Sequence, residues 1–189
     1  MKRVYLDTNV FLSPFRMHDQ IFEAMERVKA IQHLELLTGP LTLAEAACVL
    51  SREEKLMKEA FLSLASHFGI TEVVTLSQDQ QIQLALGFLL RYYNVTILDD
   101  YPIEPNPYAK KEVQINPVFK LMITLASRTQ LRTLDQMHFC YTQLANKLED
   151  DKVDYLLTCD TTFLSKKELI VELTETIVIS PDLLVTIES

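Results

Sequence analysis

Four short apolar runs, in "VYLDTN", "LELLTGP", "YLLTCD" and "TIVISP", each stop at a turn residue or a carboxylate. They are too short for helices of ordinary length. Between them apolar residues return at helical spacing, as Ile21, Phe22, Met25, Val28 and Ile31 do. Short buried strands alternating with helices predict an α/β fold with a mainly parallel sheet. The pattern predicts strands over 3–6, 34–40, 71–77, 154–160 and 175–181. It predicts helices over about 19–33, 41–50, 51–69, 78–93, 118–129 and 133–148. Ser51 and Glu54 are spaced as a capping box for the helix that Gly69 would stop. Residues 94–117 carry four prolines and no periodicity, which predicts a long loop.

A chain of 189 residues, 48% of them hydrophobic, suits one domain over 1–189, with about 94–130 inserted as a loop and helix. Lys2-Arg3 runs straight into the first strand, and no apolar run reaches membrane-spanning length. A cytoplasmic protein without membrane contact is expected. The three cysteines and four histidines are scattered, with no CxxC or Cys/His metal spacing, so buried reduced thiols are expected and structural zinc is not. Three glycines cannot build a phosphate-binding loop. The net charge of -8 argues against broad nonspecific nucleic-acid binding. It is compatible with a nucleic-acid enzyme whose acidic centre is filled by metal ions.

"VYLDTN" and "YLLTCD" both deliver an aspartate at the carboxyl end of an apolar strand. In open parallel sheets ligands bind outside those ends, so Asp7 and Asp160 converge if the strands are neighbours. Asp154 begins the same strand and falls at the opposite end. Glu45 lies in the apolar "LTLAEAACVL" and Asp135 at the start of the apolar "LRTLDQMHFCYTQLA". Clustered carboxylates repel unless a cation joins them, and Mg2+ or Mn2+ takes oxygen ligands of this kind. Each acid also has a structural alternative. Thr42 and Glu45 fit a capping box, Asp135 suits a first helical turn, Asp160 suits an N-cap, and "DTN" suits a turn. Asn9 and Thr158 could serve as turn and strand residues alone.

Together, in order, "VYLDTN", "LTLAEAACVL", "LRTLDQMHF" and "LLTCDTTF" resemble the PIN-domain pattern. The likeness runs from Val4 to about Pro181, and is nearest to the VapC-like toxin ribonucleases of toxin–antitoxin pairs. It implies an α/β/α sandwich with about five strands, and Asp7, Glu45, Asp135 and Asp160 as catalytic metal ligands. It further implies Asn9 and Thr158 in support, one or two Mg2+ or Mn2+ ions, and cleavage of RNA to 5'-phosphate and 3'-hydroxyl ends. An antitoxin partner and a homodimer follow from the same resemblance. The separation of 90 positions from Glu45 to Asp135 exceeds the toxin pattern. A PIN-fold module that binds RNA or protein without turnover is the alternative function. An unrelated phosphotransferase fits poorly, because "DTNVF" lacks the second aspartate of DxDxT.

Substrate contact needs cations near the acids. The candidates are Arg52, Lys55, Lys110, Lys111, Arg128, Arg132 and Lys166, and residues 101–132 hold five basic against two acidic side chains. A solvated loop is the plain alternative for Lys110 and Lys111.

Overall fold

The structure is a computed structural model. It describes residues 1–16, 19–68, 76–98, 101, 103–105, 107, 114–147 and 152–189. The fold is a PIN-like α/β/α sandwich around five parallel strands, in the order β3-β2-β1-β6-β7. In chain order the strands of the sheet are β1 (Lys2–Leu6), β2 (Leu34–Thr38), β3 (Thr96–Ile97), β6 (Tyr155–Leu157) and β7 (Ile177–Ile179). A separate antiparallel pair, β4 (Glu104–Pro105) and β5 (Gln114–Ile115), lies between β3 and β6 in sequence.

The helices are α1 (Thr8–Phe11), α2 (Gln20–Lys29), α3 (Pro40–Arg52), α4 (Glu54–Phe68), α5 (Gln78–Tyr93), α6 (Pro117–Thr129), α7 (Thr133–Ala145), α8 (Thr161–Ser165), α9 (Lys167–Thr174) and α10 (Pro181–Glu188). Alternation along the strands sorts the core into two layers. Val4, Leu6, Leu36, Tyr155, Leu157 and Ile179 face one cluster, shared with Met25, Leu50, Leu64, Leu89 and Leu184. Tyr5, Leu37, Leu156 and Val178 face the other, shared with Val118, Leu125, Phe139, Phe163 and Ile170. The helices before β3, with α10, thus cover one face, and α6 to α9 cover the other.

Several expectations are corrected. Ser51 does not cap a new helix: it lies in the last turn of α3, and its hydroxyl donates to the Cys48 carbonyl. The break falls at Glu53, so the S-x-x-E spacing straddles two helices. Thr42 and Glu45 lie within α3, whose N-cap is Gly39 with no side-chain cap, which removes the capping reading of Glu45. The segment read as a loop over 94–117 supplies β3, which completes the sheet beside β2. The strand expected over 71–77 lies mostly outside the described residues. Its described end, Ser77, instead caps α5 in a box with Gln80.

β1 is the central strand. The chain passes from it to β2 on one side and pairs it with β6 on the other. The order reverses between β1 and β6, and that reversal opens a crevice at the carboxyl ends of the two strands.

Candidate active site at the ends of the central strands

Asp7 follows the last residue of β1 and caps α1, accepting the Thr8 amide at 2.7 Å. Its second oxygen accepts the Thr158 hydroxyl at 2.6 Å and the Asn9 amide group at 2.8 Å. Asn9 in turn accepts the Cys159 amide at 3.1 Å, and Thr158 accepts the Asp160 amide at 3.0 Å. The carboxyl ends of β1 and β6 are therefore tied through side chains as well as through the ladder. Asp160 caps α8, accepting the Thr162 and Phe163 amides. The structural roles weighed for Asp7, Asp160 and the first-turn Asp135 are all present, and these residues also face a common space.

That space is a cavity of about 340 Å³. Asp7, Glu45, Asp135 and Asp160 all line it, with Asn9, Glu53, Arg16 and Arg132 among the others. Five carboxylates thus meet two guanidinium groups around one cavity, an excess of negative charge that favours a cation. The donors are hard oxygens, which fit Mg2+ or Mn2+.

The acids form two groups. Asp7 and Glu45 share a tight set with His138, their nearest ligand atoms lying within 4.8 Å of one another. His138 is only 2% exposed. Its Nε2 lies 3.1 Å from Glu45 Oε2 and 3.5 Å from Asp7 Oδ1. Its Nδ1 lies 3.1 Å from the Tyr5 hydroxyl, which lies 3.1 Å from the Thr42 hydroxyl. Thr42 donates to the Leu6 carbonyl. Every group in this chain is satisfied when Nδ1–H donates to Tyr5 and Tyr5 donates to Thr42. Nε2 then faces the carboxylates, as a donor when it carries a proton or as a nitrogen ligand to a cation. Thr8 donates to Glu45 at 2.5 Å. The His138 hydrogen bond lowers the Glu45 carboxyl below its usual range. Half-burial opposes this shift, and Thr8 adds to it. Burial pushes the Tyr5 phenol far above its ordinary range, so it stays neutral.

Asp135 and Asp160 belong to Arg132. The guanidinium donates from Nε to Asp135 at 2.9 Å and from Nη2 to Asp160 at 2.5 Å. Burial raises the Asp135 carboxyl, a shift Arg132 opposes and the Asp160 and Asp7 charges reinforce. Asp160 goes the other way: burial works against ionisation, but the Phe163 and Thr162 amides and Arg132 outweigh it. Asp154 stays at the opposite end of β6, accepting the Arg3 amide.

Of the proposed substrate-binding cations among the described residues, only Arg132 lines this cavity. Lys55 lines the adjoining one. Arg52 donates to the Cys48 carbonyl, Arg128 pairs with Glu172, and Lys166 separates α8 from α9. Lys110 and Lys111 lie outside the described residues. Sequence reading gave no role to His138, Tyr5, Thr8 or Arg16. For His138 a signal existed: it stands three residues after Asp135 on one helix, which places both on one face. No helix among the described residues is long and apolar enough to cross a membrane.

No protein-family model and no curated protein matches the chain. Among solved structures, the chain is similar in fold to one of VapBC2 from Rickettsia felis bound to a DNA fragment from their promoter. The TM-score is 0.51 at 13% identity, covering 94% of this chain and 98% of that one. At that identity the likeness is one of fold.

Proposed function

We propose that the protein is a metal-dependent endoribonuclease. The observation that carries the reading is the meeting of Asp7, Glu45, Asp135 and Asp160 in one cavity at the sheet's reversal point. Asp7, Glu45, Asp135 and Asp160 hold Mg2+ or Mn2+. What the bound cation supplies is a water of lowered pKa and relief of charge on the phosphoryl oxygens. Thr158 and Asn9 hold the Asp7 carboxylate in one orientation. Thr8 and His138 do the same for Glu45. Arg132 bridges Asp135 and Asp160 and favours their charged forms.

The resemblance of the motifs to VapC-like toxins, and the likeness in fold to a VapBC2 chain, support an antitoxin-type partner. A homodimer acting in the cytoplasm is the assembly this reading expects. The test is cleavage of labelled single-stranded RNA with Mg2+, Mn2+ or EDTA. Wild type should cleave with metal only, and Asp7→Asn should lose at least about 100-fold. Equal cleavage by both proteins would place the activity elsewhere.

A further inference from the structure

The two arginines of the cavity differ in what they already hold. Arg132 is committed to Asp135 and Asp160. Arg16 makes no side-chain hydrogen bond or ion pair with any described residue. It is half-buried and held from below. After Asp7 the chain makes α1 and a tight turn over Ser13–Phe15, whose three residues are all buried, and Arg16 is the first residue beyond. The root of its side chain is thereby anchored to the core.

Arg16 and Glu53 also line a second cavity, of about 540 Å³, with Asp19, Lys55 and Glu59. Arg16 therefore stands where the two cavities adjoin. In the second cavity Lys55 is 90% exposed and lies 3.8 Å from Glu59. A polyanion leaving the acidic centre on this side meets the Asp19, Glu53 and Glu59 carboxylates, the solvent-exposed Lys55, and in Arg16 a half-buried guanidinium that has no ion pair among the described residues. A half-buried guanidinium with no direct hydrogen-bond partner among the described residues keeps its donors free, and its planar fork matches a phosphate.

We propose that Arg16 binds the RNA phosphate beside the scissile one and directs the strand from the acidic centre across the second cavity. This rests on the ribonuclease reading above. Arg16 touches the substrate away from the reacting phosphate, so its loss acts on binding and leaves the chemical step alone.

The experiment is cleavage of a labelled single-stranded RNA in Mn2+ over a salt series, with wild type, Arg16→Gln and Arg16→Lys. Arg16→Gln should raise KM about tenfold and leave kcat within about twofold. The salt slope of log kcat/KM should become shallower by about one unit, the signature of one lost phosphate contact. Arg16→Lys should recover part of KM. Thermal melting and Mn2+ affinity by calorimetry should match wild type in both variants. A wild type that cleaves, with Arg16→Gln unchanged in KM and salt slope, overturns this inference alone. A drop in Tm or Mn2+ affinity that accounts for the KM change also overturns it. A wild type that cleaves no RNA overturns the ribonuclease reading and this inference with it.

Discussion

Asp7 and Glu45 are fixed by the folded core, whereas Asp135 and Asp160 share one arginine that is 66% exposed. On the first wall the holding groups are Thr158, Asn9, Thr8 and His138, and His138 is backed in turn by Tyr5 and Thr42. These groups cannot move without disturbing the strands beneath them. Even Gly39 belongs to this packing, since a Cβ there would stand 3.0 Å from the Tyr5 hydroxyl. On the second wall a single long side chain, with its own rotamer freedom, spans both acids; Asp160 also caps α8, but the Asp135 carboxylate has no other hydrogen-bond partner among the described residues. The difference teaches a division of labour. One wall is pre-organised, and the other is adjustable.

The sharpest way to break that comparison is to remove the holding group from each wall. His138→Ala should cost about 2–4 kcal/mol, because it leaves a cavity, takes one of two partners from the buried Tyr5 hydroxyl and removes the imidazole beside Glu45. Arg132→Gln should cost clearly less than His138→Ala, because an exposed ion pair is screened and entropically expensive. Urea unfolding of both variants reads the two values on one scale. Equal losses would mean that the walls are not held differently.

A smaller effect sharpens the contrast with an acid used only for structure. Glu188, near the end of α10, binds Lys2, Tyr155 and His33 and so clamps the last helix to the first strand. Lys2 first, then Tyr155 and His33, pull its carboxyl down to about 2. A depressed carboxylate contributes stability that is present above its unfolded value of about 4.3 and is lost as pH falls through its folded value. Wild type should therefore exceed Glu188→Gln by roughly 1 kcal/mol at pH 7, a figure reduced for the half-exposed Lys2. The gap should narrow between about pH 4.3 and pH 2. A gap that held constant from pH 7 to pH 3 would show that the charge on Glu188 is not what clamps the helix.

Much of this was legible from residues alone, for identifiable reasons. Strands β1, β2, β6 and β7 announce themselves because buried parallel strands are continuous apolar runs. The acids stand out because carboxylates at the ends of such runs, or inside apolar helices, are costly without a purpose. Helix α5 was legible over its whole length, Gln78–Tyr93, because its spacing is long and regular. Strand β3 is two residues in a proline-rich stretch and carries no periodic signal; pairing with β2 alone makes it a strand. His138 was visible as a residue but not as a partner. Its contacts with Glu45 and Tyr5 span 93 and 133 positions, distances over which a single sequence carries no pairing information. Arg132 was read as a grip on RNA; its present partners are Asp135, within reach of spacing at three residues, and Asp160, which 28 positions put beyond it.

The most direct test of a single cation centre built from both walls is a calorimetric Mn2+ titration. Wild type would be compared with Asp7→Asn, Glu45→Gln, Asp135→Asn and Asp160→Asn. Each substitution should weaken Mn2+ binding at least about tenfold, because each removes one charge or ligand from the same ion. Unchanged affinity in Asp135→Asn and Asp160→Asn, with loss only in the other two, would contradict the account. It would confine the cation to Asp7, Glu45 and His138.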